Sequence, residues 1–95
     1  MILHNVSSVT IKNIYMSSKN EAYGSDRLGS AYMKPNGDLR FTVSPGVNKL
    51  KVINEDGSSC EWERIDILGG VEKKMDFKNE ENVFATCKLR LSYLP

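Results

Sequence analysis

The sequence predicts an all-β protein, a single antiparallel β-sandwich of seven or eight strands with an immunoglobulin-like or C2-like architecture. Short runs of alternating apolar and polar residues recur between residues 9 and 68, separated by turn sequences such as Asn36-Gly37, Pro45-Gly46 and Asp56-Gly57. Runs and turns at this spacing are typical of sandwiches and barrels. The connections are too short for the crossovers of parallel strands, and no amphipathic helix is evident, so we expect antiparallel pairing throughout.

Each strand follows from its own pattern. The first run changes parity between Ile11 and Ile14, which predicts a bulge near Asn13. The run 59–68 changes parity after Trp62, which predicts a bend near Glu63-Arg64. In chain order, the expected runs are 9–16, a short stretch 30–34, 39–43, 49–53, 59–68, 71–77 and 83–93.

The inward-facing positions of these runs predict the core. Strict alternation over 83–93 is the clearest case, because period-two patterns mark strands with one buried face. The predicted core consists of Val9, Ile11, Leu39, Phe41, Val43, Leu50, Val52, Val83, Ala85, Cys87, Leu89 and Leu91.

Size and charge limit the classes of function. The chain has 95 residues, which predicts one domain over 1–95, and 13 basic against 12 acidic residues give a net charge of +1. That balance disfavours nucleic acid as a partner. No apolar run has the roughly 20 residues that span a bilayer, so we expect no membrane span. The first residues lack a signal-peptide pattern, so the protein is either cytoplasmic or exported with its signal removed.

Cys60 and Cys87 are the only cysteines. Two thiols cannot supply a four-ligand zinc site, and their spacing is not that of a redox pair. Two interpretations stay open: a pair of buried free thiols, the one that burial statistics favour, or a disulfide. A disulfide would close a loop of about 28 residues and stabilise the fold by roughly 3.5 kcal/mol.

The polar segment 17–29, called the 17–29 loop below, is the first candidate for a binding site, because long loops in small domains are often functional. Tyr23, Gly24, Asp26 and Arg27 would supply an aromatic ring, a carboxylate and a guanidinium, with Asp56 on an adjacent turn. The structural interpretation is that the glycine turns the chain and Asp26 accepts hydrogen bonds from backbone amides.

Other candidates are weaker. His4 is the only histidine and has no nucleophile motif beside it, and no loop carries the ladder of carboxylates that calcium requires. We therefore expect no catalytic residue, metal or cofactor. Trp62 is expected in the core. An outward basic set is expected to be a solvated sheet face rather than a site for an anionic partner; it comprises Arg40, Lys49, Lys51, Lys88 and Arg90.

Residues 5–68 carry motifs that resemble a family of small uncharacterised bacterial β-sandwich proteins. That family has a Thr-Ile…Leu-Tyr-Ile-Ser-Pro strand, a Trp-Gly-x-Asp-x-Leu-Gly loop and a Tyr-Asp-Leu-Arg-Val-x-Asp-x-Asp-Gly stretch. The matching segments are Thr10-Ile11-x-x-Ile14-Tyr15-Met16-Ser17, Tyr23-Gly24-x-Asp26-x-Leu28-Gly29 and Lys49-Leu50-Lys51-Val52-Ile53-Asn54-Glu55-Asp56-Gly57.

The chain departs from the pattern at three places. Tyr23 replaces the loop Trp, Ser18 replaces the Pro, and Asn48-Lys49 replaces Tyr-Asp. The resemblance implies a β-sandwich and an export signal. It implies no particular reaction, cofactor or partner.

The leading hypothesis is a non-catalytic binding module, a monomer or weak homodimer, that recognises a protein partner through the 17–29 loop and adjacent turns. Two alternatives come from other classes. One is a small cytoplasmic inhibitor or immunity-type protein, of the kind phages encode, that blocks an enzyme. The other is a structural component of a secreted assembly. Folds do not fix function, so the sequence leaves these open.

Overall fold

Two β-sheets make up the structure, a computed structural model that describes residues 1–69, 73–79 and 87–93, with side chains for 1–69 and 74–77. A four-stranded sheet has the order β3-β1-β6-β7, and a three-stranded sheet has the order β2-β4-β5. The strands are β1 (Ile2–Asn5), β2 (Ile11–Ser18), β3 (Asp38–Arg40), β4 (Gly46–Asn54), β5 (Ser59–Ile67), β6 (Lys73–Asn79) and β7 (Cys87–Tyr93). The described residues form strands and loops without a helix, so the predicted all-β class is confirmed.

One strand pair corrects the prediction of purely antiparallel pairing. β1 lies parallel to β6, with Leu3 opposite Met75 and Asn5 opposite Phe77, whereas the other strand pairs are antiparallel. The prediction rested on short connections between consecutive strands. β1 and β6 are far apart in the chain, and the three-stranded sheet is formed by residues between them, so that constraint does not apply to this pair.

Both predicted irregularities are present. The β2–β4 register shifts between Ile11 and Asn13. In the β4–β5 pair, Asn48 lies opposite Ile65 and Leu50 lies opposite Trp62, so two β5 residues oppose one β4 residue at the predicted bend. An extra residue reverses the side of the sheet that later side chains face. The parity changes in the sequence were therefore correct signals of bulges.

The strand boundaries differ from the predicted runs mainly at short elements. β1 was missed, since four residues are too few to show a period. β3 ends at Arg40 instead of continuing to residue 43. The predicted 30–34 stretch contributes a single antiparallel bridge, between Met33 and Ile11. The turn before β3 matches its sequence, because Gly37 donates to the Lys34 carbonyl over 2.9 Å and Asn36 has a φ of 69°.

One apolar cluster joins the two sheets. Trp62 of β5 meets Phe77 of β6 edge-on, with ring centroids 5.9 Å apart. The buried apolar residues are Leu3, Ile11, Ile14, Met16, Met33, Leu50, Val52, Cys60, Ile65, Ile67, Met75 and Phe77. Only Ile11, Leu50 and Val52 of these were in the predicted core. Leu3 and Met33 were missed because they lie in the two elements too short to show a pattern.

The predicted core is confirmed in part. Ile11, Leu50 and Val52 are fully buried. Four members are only partly buried and pack against the cluster; they are Val9, Leu39, Phe41 and Val43. Phe41 and Val43 lie beyond Arg40, where the chain leaves β3. The side chains of Val83, Ala85, Cys87, Leu89 and Leu91 lie outside the described part.

Within the described ranges, no helix has the length and apolar content to span a membrane.

Candidate functional site

Asp26 fixes the 17–29 loop against β2. Its Oδ1 accepts hydrogen bonds from the backbone N–H of Ile14 over 2.8 Å and of Leu28 over 3.0 Å, and its Oδ2 accepts from Asn13 Nδ2 over 2.8 Å. Hydrogen bonds to an ionised acceptor are about twice as strong as neutral ones. The structure thus places Asp26 in the role that the structural interpretation gave it.

Arg27 continues the same attachment. Its backbone N–H donates to the Ile14 carbonyl over 2.7 Å, and Nη2 donates to the Met16 carbonyl over 2.9 Å. Nη1 reaches the Thr42 carbonyl at 3.4 Å, and the guanidinium carbon lies 5.5 Å from the centre of the Phe41 ring. The side chain therefore bridges β2 and the segment after β3.

These contacts cover the outer edge of β2, which has β4 on its other side. The loop satisfies both backbone groups of Ile14 and the carbonyl of Met16. Met33 exchanges two 2.9 Å hydrogen bonds with Ile11 further along. Uncovered edge groups invite pairing with other chains. The loop protects this edge with the side chains of Asp26 and Arg27 and the backbone N–H of Arg27, in place of a further strand.

Tyr23 lies on the outward side of the three-stranded sheet. Its hydroxyl donates to Glu61 Oε1 over 3.1 Å, its ring centroid is 6.0 Å from that of Tyr15, and Lys49 Nζ is 4.5 Å from the ring centroid. A cation over an aromatic face is attracted by the ring quadrupole. The ring is thus held by three neighbours from three different strands.

The electrostatic surroundings of Tyr23 favour its neutral form. Burial is the largest cause that raises its pKa above the ordinary value, followed by the hydrogen bond to Glu61 and the charges of Glu61 and Glu63. Ionising the phenol would place a second negative charge beside a carboxylate. The hydroxyl therefore stays a hydrogen-bond donor throughout the physiological pH range.

We call the outward surface formed by Tyr15, Tyr23, Lys49, Glu61 and Glu63 the tyrosine face. The strand register supports this grouping. Tyr15, Lys51 and Glu61 lie side by side across β2, β4 and β5, and Lys49 lies two residues before Lys51 on the same side of β4. An open depression of about 240 Å³ lies here, lined by Lys19, Lys49, Glu61 and Glu63. The face combines aromatic surface with charges of both signs.

A second depression, of about 260 Å³, also borders the loop and is called the Arg27 cleft. Gly24 lines it, with open space where a side chain would start, together with Arg27. Its remaining lining is polar for the most part and includes Ser17, Ser18, Glu21, Thr42, Ser44 and Asn48. The loop thus borders two shallow surfaces of different chemistry.

Asp56 does not belong to this site. The loop leaves β2 after Ser18, which pairs with Asn48, whereas Asp56 follows Asn54 at the opposite end of β4. Six residues of β-strand span about 20 Å. Asp56 Oδ1 instead accepts from the Ser58 N–H over 2.8 Å, and hydrogen bonds from the Ser58 hydroxyl and backbone lower the pKa of Asp56. The structure therefore places Asp56 away from the 17–29 loop, and its role in binding stays a prediction.

The other candidates are dispersed. His4 Nδ1 is hydrogen-bonded to Asp38 on the four-stranded sheet. Trp62 packs against the core, as predicted. Lys49 and Lys51 lie on β4 and Arg40 on β3, in different sheets, so these three members of the basic set form no single stripe; the side chains of Lys88 and Arg90 lie outside the described residues.

Cys60 is buried on β5 and is disulfide-bonded, so the free-thiol interpretation is wrong for this residue. Since the side chain of Cys87 lies outside the described residues, its pairing with Cys60 stays a prediction.

Sequence reasoning missed Lys49 and Glu61 as neighbours of Tyr23. Each looks like an ordinary outward residue of an alternating strand. They become neighbours of Tyr23 only because β4 and β5 pair next to β2 and the 17–29 loop folds against this sheet. The one available signal was the predicted outward parity of Lys49.

Comparison with protein-family models, with curated proteins and with solved structures found no match to this chain.

Proposed function

We propose that this protein is a non-catalytic interaction module that binds a protein partner through the tyrosine face and the 17–29 loop. The observation that carries the proposal is the position of Tyr23, a large aromatic side chain held at the surface by contacts with Tyr15, Lys49 and Glu61. Tyrosine is enriched among the residues that dominate binding energy in protein interfaces.

Restraint of the loop supports the same proposal. The hydrogen bonds of Asp26 and Arg27 to β2 hold the loop backbone in one position before any partner arrives. Ordering a loop on binding costs free energy, and a loop that is already ordered avoids that cost. Asp26 and Arg27 thus serve the module mainly by positioning Tyr23.

As part of this proposal, we infer that the two sheets are the layers of a single-domain seven-stranded β-sandwich of immunoglobulin-like or C2-like architecture. The shared apolar cluster and the contact between Trp62 and Phe77 support this arrangement. The motif resemblance in residues 5–68 agrees with it.

We also propose that Cys60 pairs with Cys87 and that the module works in an oxidising compartment, as export implies. The disulfide-bonded state of Cys60 supports this over a cytoplasmic inhibitor. Alkylation of protein taken directly from its native host, with and without reductant, tests it. The proposal expects both cysteines to be labelled only after reduction. Labelling without reductant would contradict it.

Crosslinking in the native host tests the binding proposal. Tagged wild-type protein is compared with Tyr23→Ala and with the matched control Tyr32→Ala; Tyr32 is 60 % exposed and precedes Met33, which pairs with Ile11 at the start of β2. We expect the same partner with wild type and control, and a loss of roughly tenfold or more with Tyr23→Ala. Equal yields from all three proteins would contradict the proposal.

A further inference from the structure

The guanidinium of Arg27 is held in place without a carboxylate partner among the described residues. Its two hydrogen-bond acceptors are the backbone carbonyls of Met16 and Thr42, and the Phe41 ring lies 5.5 Å from the guanidinium carbon. A guanidinium has five N–H donors. Two of them serve these carbonyls, so three stay available, and Arg27 as a whole is exposed.

The Arg27 cleft provides room and further donors beside this group. Its volume is about 260 Å³, and it is open to solvent. The hydroxyl groups of Ser17, Ser18, Thr42 and Ser44 belong to lining residues. A hydroxyl can rotate to donate to an incoming oxygen atom. A fixed cation next to several hydroxyl groups has the chemistry of an anion subsite.

We propose that the Arg27 cleft binds a single carboxylate, carried by an aspartate or glutamate side chain of the protein partner. This inference rests on the proposed function, because it gives the chemistry of what the partner presents next to the tyrosine face. Residues of the 17–29 loop line both surfaces, so one partner can reach both. Tyr23 would supply the aromatic contact and Arg27 the charged one.

The charges around the cleft favour a carboxylate over a phosphate group. Arg27 is the one cation among the described lining residues, and Glu21 adds a negative charge at the same cleft. A phosphate group carries between one and two negative charges at neutral pH and is usually met by clusters of cations. A monoanion is compensated by one guanidinium, and planar carboxylates match the fork of its N–H groups.

Titration by NMR with small probes tests the inference without an identified partner. The probes are N-acetyl-aspartate amide, its uncharged analogue N-acetyl-asparagine amide, and inorganic phosphate. We expect the first to shift the Arg27 Nε–H resonance and the Gly24 and Ser44 amide resonances saturably. The asparagine analogue should produce at least tenfold weaker binding. Equal binding of the two, or tighter binding of phosphate, would overturn the inference.

Two variants sharpen the test. Glu21→Gln removes the competing negative charge and should tighten binding of the aspartate probe about threefold, while the control Arg64→Lys, on β5, should leave it unchanged. Weaker binding with Glu21→Gln would also overturn the inference. These outcomes are separable from the proposed function: partner capture that depends on Tyr23, together with no carboxylate binding, would reject this inference alone.

Discussion

The 17–29 loop and the turn over residues 54–58 lie at opposite ends of the three-stranded sheet, and they are stabilised in different ways. In the turn, Asn54 Oδ1 accepts from the N–H groups of Asp56 and Ser58, both over 3.1 Å, and Gly57 donates to the Asn54 carbonyl. Most of its hydrogen bonds join residues at most four positions apart. In the loop, Asp26 and Arg27 bond to residues more than ten positions away.

This difference explains which region carries the candidate site. A locally bonded turn needs little from the rest of the fold, so its conformation is set by its own sequence. A loop bonded to distant strands is positioned by the sheet, and it can hold side chains such as Tyr23 in a fixed relation to residues of other strands. Variants in the two regions distinguish stabilisation by local hydrogen bonds from stabilisation by hydrogen bonds to distant strands.

The largest effect is expected for Asp26→Ala. The variant loses three hydrogen bonds to a carboxylate and leaves the Ile14 N–H without its acceptor, so we expect a loss of about 3 kcal/mol in the free energy of unfolding. Urea-induced unfolding measures it. Asp26→Asn, which keeps one acceptor oxygen, should lose about half as much. A loss below about 0.5 kcal/mol for the alanine variant would show that the loop is not held through Asp26.

Two glycines give a matched comparison of loop and turn. A Cβ atom would meet open space at both Gly57 and Gly24, but Gly57 has a φ of +93°. Gly57→Ala should therefore cost about 1–2 kcal/mol from backbone strain, while Gly24→Ala should change the free energy of unfolding by less than about 0.5 kcal/mol. The same unfolding assay applies. Equal costs at the two positions would mean that local backbone conformation does not distinguish the regions.

Tyr23→Phe is expected to act mainly at alkaline pH. The pKa of Tyr23 is raised in the folded protein, so the unfolded chain releases this proton first, near pH 10, and stability falls as the pH rises above that value. The variant lacks this decline. Its loss at neutral pH should be less than about 1 kcal/mol. Unfolding at several pH values, with Tyr32→Phe as control, measures the difference; parallel curves for wild type and Tyr23→Phe would contradict a pKa of Tyr23 raised by burial and by Glu61.

The smallest effect is expected in the turn at acid pH. The pKa of Asp56 is lowered by the hydrogen bonds from Ser58, so its contribution to stability is present above its unfolded pKa, near 4, and is lost as the pH falls through the folded pKa. NMR of the Asp56 carboxyl carbon gives the midpoint directly. We expect Ser58→Ala to raise that midpoint toward the ordinary value. An unchanged midpoint would mean that the hydroxyl of Ser58 does not stabilise the charge.

The features that could be predicted from the sequence are those that leave a signal in a short stretch of residues. The bulge near Asn13 and the bend near Glu63-Arg64 were readable because each reverses the parity of apolar side chains. The structural role of Asp26 was readable because short acidic side chains often accept from backbone amides. The parity changes depend on residues close together in the chain, whereas the partners of Asp26 on β2 lie more than ten positions away and were not predicted.

Features that depend on distant partners left no periodic signal. The parallel pairing of β1 with β6, the burial of Met33 and the placement of Asp56 far from Tyr23 all follow from how the strands are ordered in the sheets. The contacts of Tyr23 with Lys49 and Glu61 also follow from the strand order. An alternating pattern shows that a residue faces outward without showing what lies beside it.

The rate of amide hydrogen exchange at Arg27 measures whether contacts with β2 hold the 17–29 loop in place. The Arg27 N–H donates to the Ile14 carbonyl over 2.7 Å, although it lies in a loop. We expect this amide to exchange at a rate within about tenfold of that of the Val52 amide in β4, and we expect Asp26→Ala to remove its protection. Exchange at the rate of an unstructured peptide in the wild-type protein would contradict the claim.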